Sequence, residues 1–317
     1  MRANVAGYAG PLQLSKFEGG QSNPTFRVAT PGGDYVLRRK PVGPVLPSAH
    51  AVDREYRVLS AMHAAGAPVP RVHALCTDTT VLGSIFYVMD FVPGRVFWDP
   101  RLPGLSRDDR TGIFDSMNAT IAQIHGLDPD AIGLGDFGRK ENALSRQVSL
   151  WTRPFEAART GPNPAMDRLI AWLPDHLPDE HPPRVVHGDY RLDNVLIHPT
   201  EPRVIAVLDW ELSTIGNPIA DFAYHLMIWR FAPELFRGLA GVDFALAGIP
   251  DEQTYARRYI ERSGLEPPES WDVYLVLGMF RVAAILQGVS KRAEDGSAND
   301  PRAREIGGKA EPIARIA

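Results

Sequence analysis

The segment His187-Gly188-Asp189-Tyr190-Arg191-Leu192-Asp193-Asn194 and, two apolar runs later, Asp209-Trp210-Glu211 hold the residue types that phosphoryl transfer from a nucleotide requires. That reaction needs a carboxylate to receive or orient an attacking hydroxyl, and oxygen ligands to hold Mg2+ over the phosphates. An Asp, an Asn five positions later and a second Asp at the end of a β-rich run supply them in order. Asp189 is the candidate base; Asn194 and Asp209 are the candidate metal ligands. Each alone would suit a capped turn or a strand end. The ordered trio, in loops between strands, is what points to chemistry. His187 reads as a donor that organises this loop, and Asp221, one turn into a following helix, as a hydrogen-bond partner of it.

The elements that must position these residues fall into two groups. Over the first ~90 residues the pattern is mostly strand. Phe26–Val28 and Tyr35–Leu37 flank Pro31-Gly32-Gly33-Asp34, a hairpin-turn composition. Val52, Tyr56, Leu59 and Met62 recur at helical spacing, with Gly66 and Pro68 to end the helix. Ile85–Met89 is a further strand, and Asp90-Phe91-Val92-Pro93-Gly94 breaks regular structure, so the boundary between lobes is expected there: residues 1–92 and 93–317. Beyond it the pattern turns helical. Ser106 with Asp109 reads as a capping box before Ile113, Met117, Ile121 and Ile124, with Gly126 at the C-cap. Asn163-Pro164 and Asn217-Pro218 each give an N-cap and an N1 proline. Residues ~251–263 and ~269–291 supply two more helices, and the last ~20 residues, polar and poor in aromatics, predict a loosely held tail.

Composition narrows the function. The 317 residues are 44% hydrophobic and 23% charged with net charge −4, an ordinary globular balance that argues against phosphate-backbone binding, so no nucleic-acid partner is expected. Apolar runs no longer than about Tyr274–Phe280 predict no membrane span, since ~20 residues are needed. No apolar leader follows Met1, and a single cysteine, Cys76, excludes an internal disulfide, so a cytoplasmic enzyme is expected. Gly133-Leu134-Gly135-Asp136-Phe137-Gly138 fits the dinucleotide fingerprint only formally, because it follows a turn-rich segment rather than a strand. No Gly-x-x-x-x-Gly-Lys-Ser/Thr loop, Gly-x-Ser-x-Gly elbow or zinc-type His pair is present.

The His-Gly-Asp-x-x-x-x-Asn and Leu-Asp-Trp stretches resemble the catalytic and metal loops of the aminoglycoside phosphotransferase and choline kinase families. Phe17-Glu18-Gly19-Gly20-Gln21-Ser22-Asn23 resembles their phosphate-covering turn, Tyr87–Gly94 their interlobe linker and Gly216–Ala223 their helix after the metal loop. Gln21–Thr25, Tyr35–Pro41 and Gln287–Arg292 are similar, more narrowly, to the kinase-like domain that some eukaryotes fuse to acyl-CoA dehydrogenases. The resemblance implies an α+β, protein-kinase-like fold: a small, mainly antiparallel β lobe with one helix, and a larger helical lobe. It implies ATP or GTP with Mg2+ as cofactors, and a small-molecule hydroxyl as acceptor. The nucleotide would meet Gly20, Ser22, Asn23, Arg38, Glu55, Asp90 and Val92; Tyr190, Glu211 and Arg281 are candidates toward the acceptor.

One departure stands out. Where protein kinases place a strand Lys on the phosphates, this chain reads Val36-Leu37-Arg38, with Lys40 two residues on. Side chains 36, 38 and 40 share a strand face. Arg38, paired with Glu55, is the expected phosphate ligand, and Lys40 competes for the role. The acceptor is left open between a hydroxyacyl-CoA and an aminoglycoside or choline-like amino alcohol. A nucleotide-binding module without turnover is the reading from another class.

Overall fold

The alternation along Tyr35-Val36-Leu37-Arg38 decides how the small lobe is built. In the computed structural model, which describes residues 1–2, 4–17, 23–41, 51–298 and 300–317, these residues lie in β3 of a five-stranded antiparallel sheet. Its strands are β1 (Gln13–Lys16), β2 (Thr25–Thr30), β3 (Gly33–Arg39), β4 (Val72–Cys76) and β5 (Phe86–Asp90), in the order β1-β2-β3-β5-β4. Tyr35 and Leu37 point to one face and form a small core with Val5, Val28 and Val88. Val36 and Arg38 point to the other, opposite Met89 and Tyr87 of β5. Onto that face packs α1 (Val52–Ala64), whose buried positions Val52, Glu55, Val58, Leu59 and Met62 follow helical spacing. The one polar member, Glu55, thereby faces Arg38. A four-residue helix, α2 (Thr79–Leu82), capped by Asp78, precedes β5.

No helix or strand forms between Asp90 and Arg107, the segment that contains the expected boundary at residues 92–93. The large lobe begins with α3 (Arg107–Gly126), capped by the Ser106 hydroxyl on the Asp109 amide at 3.0 Å; its C-cap is Leu127, one residue beyond the expected Gly126. Then come α4 (Ala143–Ala157) and α5 (Pro164–His176), the latter capped by Asn163. Two antiparallel ribbons follow. β6 (Arg184–Val186) pairs with β9 (Thr214–Gly216), and β7 (Val195–Ile197) with β8 (Val204–Val207). The remainder is helical: α6 (Pro218–Leu226), the single turns α7 (Pro233–Phe236) and α8 (Phe244–Ala247), α9 (Glu252–Ser263), α10 (Asp272–Glu294), α11 (Ala303–Gly307) and α12 (Ala310–Ile316). The expected α+β, two-lobed class is what the chain adopts, with α2 as an addition.

Helix α10 is long and apolar enough to cross a membrane, yet 67% of its apolar window is buried within the protein, against α4, α5, α6, α11 and α12. It is the central helix of the large lobe. The expected loose tail is corrected here. Residues 303–317 form two helices, and Ala303, Ala310, Ile313 and Ala314 are buried against α10 and α5. A few small and branched apolar residues at helical spacing suffice to dock them, without aromatics. The glycine-rich 133–138 segment makes turns between α3 and α4, its Phe137 buried beneath Arg54.

Candidate active site

The loop after β6 is held by the side chain of Asp221 on α6. Its Oδ2 accepts the His187 amide and its Oδ1 the Gly188 amide, both at 2.8 Å, and Oδ2 also meets His125 Nε2 at 3.2 Å. Burial works against charge on Asp221, but the bonds and charge from His125 and His187 outweigh it and hold the carboxyl below its usual range. His187 Nε2 meets the Leu208 carbonyl at 2.8 Å while its Nδ1 accepts the Asp189 amide at 3.1 Å. One imidazole thus ties the 187–194 loop to Leu208, between the end of β8 and Asp209. Gly188 has φ +82°, and a Cβ there would sit 2.7 Å from the Leu212 carbonyl, so only glycine suits the turn.

These ties leave Asp189 between two openings. Its Oδ2 accepts from Asn194 Nδ2 at 3.0 Å. Its Oδ1 accepts from the Tyr224 hydroxyl at 3.0 Å and lies 3.1 Å from Arg191 Nε. Asn194 lines a cleft of about 480 Å3 between the lobes, with Phe17, Val36, Arg38, Met89 and Asp209 also in its wall. Tyr224 and Gly188 line a second pocket of about 120 Å3, on the large lobe, walled by α4, α6 and α10. Asp189 therefore has one oxygen bonded from each side.

The cleft carries the second constellation. Pairing of Val195 with Val207 sets Asn194 and Asp209 at the same end of the β7–β8 ribbon. Asp209 has φ 65°, a left-handed conformation that Asp tolerates better than most residues. Arg38 reaches it across the cleft: Nη2 to Asp209 Oδ1 at 2.5 Å, Nε to Glu55 Oε2 at 3.0 Å and Nη2 to Glu211 Oε2 at 3.4 Å. Burial alone would weaken the Arg38 cation, but Glu55, Asp209 and Glu211 raise its pKa further above the ordinary value. Glu55 shows the reverse imbalance. Burial foremost, with Asp209 and Glu211 adding, pushes its carboxyl up to about 7 against the pull of Arg38. Carboxylate oxygens of Glu55, Asp209 and Glu211 lie within 4.8 Å of one another. Of the three only Asp209 also lines the cleft, and its carboxylate is a hard oxygen donor of the kind that Mg2+ takes. Asn194, whose Nδ2 is spent on Asp189, has its amide oxygen left to offer.

Several expected site residues lie elsewhere. Tyr190 does not face an acceptor: it is fully buried, and its hydroxyl donates to the Met117 carbonyl at 2.9 Å. Glu211 lines neither opening and joins the Arg38 cluster. Glu55 sits behind Arg38, 1% exposed, and holds it rather than lining the cleft. Asn23 is buried just ahead of β2, where Phe17 and Thr25 form the cleft wall. Asp90 and Val92 line the cleft, with the Asp90 carboxylate 2.5 Å from His73 Nε2. Arg281 lines the second pocket. Gly20 and Ser22 lie outside the described residues. Lys40 contributes no cleft wall; its amide donates to the Ile85 carbonyl at 2.9 Å. Tyr224 and Arg191 are the contacts of Asp189 that sequence reasoning passed over. For Arg191 a signal existed, a cation two residues from the candidate base.

Residues 13–259 match the model of the phosphotransferase enzyme family, APH. The chain belongs to this family. By family and fold, this phosphotransferase is a small-molecule kinase. Acyl-CoA dehydrogenase family member 10 of Mus musculus is 44% identical over 311 residues, which cover 97% of this chain and 29% of the mouse protein. The phosphotransferase chain thus spans less than a third of that relative. A Ralstonia eutropha JMP134 protein, provisionally described as an aminoglycoside phosphotransferase, is 50% identical in its crystal structure, with a TM-score of 0.92 and 100% and 94% of the two chains covered. A thermostable mutant of aminoglycoside phosphotransferase APH(4)-Ia, solved with AMP-PNP and hygromycin B, has a TM-score of 0.60 at 18% identity, with 96% and 93% covered, a likeness of fold.

Proposed function

We propose that this phosphotransferase moves the γ-phosphoryl group of ATP, or GTP, to the hydroxyl of a small acceptor, and that a hydroxyacyl-CoA is that acceptor. The observation that carries the reading is the placement of Asp189, bonded to Asn194 of the interlobe cleft by one oxygen and to Tyr224 of the second pocket by the other. A base for in-line transfer must reach the acceptor hydroxyl at a point next to the nucleotide site. The nucleotide occupies the cleft, its base against the backbone around Asp90–Val92 and its phosphates toward Arg38. Asn194 and Asp209 would hold Mg2+, which supplies charge neutralisation at the phosphate oxygens when bound. Asp189 receives the acceptor's proton, late if the transition state is loose. Tyr224 and Arg191 fix its orientation.

Two facts support the acyl-CoA acceptor. The mouse relative is named for acyl-CoA dehydrogenation. The second pocket also offers a cationic acceptor no open carboxylate, because Asp221, the acidic residue in its wall, has both oxygens engaged. An aminoglycoside or amino alcohol would need one. The test is purified protein with ATP and Mg2+ against hydroxyacyl-CoAs, amino alcohols and aminoglycosides, read as phosphate on the acceptor. Transfer to the hydroxyacyl-CoAs is expected. Transfer only to the cationic acceptors would overturn the acyl-CoA reading, and nucleotide binding without transfer or hydrolysis would mark an inactive module.

A further inference from the structure

Arg38 lines the cleft, Arg281 the second pocket, and Arg191 meets Asp189 between them, and the three are not alike. Arg38 pairs with three carboxylates, and Arg191 with Asp189 and Asp193. Arg281 of α10 is 6% exposed, and among the described residues it has no carboxylate partner. Its Nε is buried without a hydrogen-bond acceptor. Its guanidinium carbon lies over two rings, 4.5 Å from the centroid of Tyr224 and 5.1 Å from that of Trp151. The rings cradle the cation's faces but accept nothing from its in-plane N–H groups. A buried donor left without an acceptor is destabilising, and a buried cation without an anion more so. The protein keeps this cation in the wall of the pocket beside Asp189. Tyr224, the ring beneath it, also donates to Asp189 Oδ1.

Besides Arg281 and Tyr224 the polar side chains of that wall are Gln147, Thr214 and Asp221, and the remaining side chains are apolar. Leu150 and Leu212 stand at its wall 61% and 43% exposed, and Trp151 and Leu277 complete the apolar side. At about 120 Å3 it is smaller than the ~300–1,000 Å3 pockets that enclose drug-sized ligands. A short chain fits, with its hydroxyl at Asp189 and an oxygen acceptor at its other end for Arg281.

We infer that Arg281 is an acceptor-binding residue that takes an acyl oxygen, the carboxylate of a hydroxy acid or the carbonyl of its thioester, while Leu150, Trp151 and Leu212 hold the chain. This rests on the proposed phosphotransfer at Asp189 and adds the group by which the acceptor is recognised. Both sources present an oxygen to a planar donor fork, which an arginine meets with two N–H groups.

Binding can be tested apart from turnover with probes that lack the hydroxyl. Pentanoate, pentanoyl-CoA and 1-pentanol are titrated by calorimetry into the wild-type chain and into Arg281→Gln, Arg281→Lys and Leu150→Glu. The acyl probes are expected to bind the wild type, and pentanol at least tenfold more weakly. Arg281→Gln should weaken acyl binding tenfold or more with ATP affinity unchanged, and Arg281→Lys should recover part of it. Leu150→Glu, an exposed change, should lower pentanoate affinity by placing a carboxylate at the pocket. Binding of pentanoate alone names the free acid as the source, and binding of pentanoyl-CoA alone the thioester. Melting controls read the other role: a merely structural Arg281 would lower the melting temperature when replaced, whereas removal of an unpaired buried cation should leave it level or raise it. Acyl binding undiminished in Arg281→Gln, pentanol bound as tightly as pentanoate, or no acyl probe bound by the wild type would each overturn the inference. Failure of the phosphotransfer reading would show separately, as no phosphoester on any hydroxylated acceptor.

Discussion

Arg38 answers at the level of one side chain the question that the Arg38/Lys40 pair raises. Lys40 lies one residue past the end of β3 and lines no part of the cleft, whereas Arg38 reaches it and three acidic side chains fix its fork. Loss of such a desolvated, charge-assisted contact costs ~2–3 kcal/mol, and loss of a half-exposed Lys under ~1 kcal/mol. Arg38→Ala should therefore weaken ATP binding ~30–150-fold and Lys40→Ala less than about fivefold, as measured by calorimetry. The opposite ranking would refute the assignment. Glu55 gives a pH signature. Its folded-state pKa of about 7 lies above its ordinary 4.5, so the folded chain holds the proton more tightly than the unfolded one. Its contribution to stability is complete below about pH 4.5 and is lost as pH rises through 7. In urea unfolding the wild type should lose ~2–3 kcal/mol between pH 5 and pH 8 relative to Glu55→Gln. Equal falls in the two proteins would mean that Glu55 is not held protonated. Tyr224 is the residue whose role the sequence hid. An aromatic on an apolar helix face reads as packing, and it does pack; that its hydroxyl ends on Asp189 depends on where α6 docks.

Elements were legible where local chemistry sets them. The N-caps Ser106, Asn163 and Asn217, the hairpin at Gly32-Gly33 and the apolar stripe of α1 all stand where residue types place them. Helix α4 was not anticipated. Its buried positions Leu144, Val148 and Phe155 are sparse, Pro154 interrupts it and its N-cap Asn142 makes no side-chain bond. The expected free tail failed for a tertiary reason, since its few apolar residues matter only because α10 offers them a surface. Ile313 is fully buried in α12, so Ile313→Ala should cost ~2–4 kcal/mol in urea unfolding. A change below ~0.5 kcal/mol would restore the loose tail.

Across the whole molecule, the interlobe cleft joins groups that are far apart in sequence, and the ion pair between Arg38 and Asp209 crosses it. The kinase-like fold class came from the resemblance that the site motifs carry, whereas the order Asp189, Asn194, Asp209 and the change from a strand-rich to a helical pattern were readable from residue types. The two openings on either side of Asp189 were not, because they depend on how α4, α6 and α10 pack. Asp209→Ala should fold and keep its secondary structure, yet lose the Mg2+-dependent part of the ATP-induced rise in melting temperature. A full rise with Mg2+ in that variant would remove Asp209 from the metal site.

The central claim is that Asp189 serves both openings as the base of phosphotransfer. Its most direct test is phosphorus NMR of the chain with ATP, Mg2+ and a hydroxyacyl-CoA, run beside Asp189→Asn at matched nucleotide saturation. The wild type should build up a phosphomonoester on the acceptor, and the variant should do so ~10²–10⁴-fold more slowly with its ATP affinity intact. A phosphoester formed at the wild-type rate by Asp189→Asn would contradict the account.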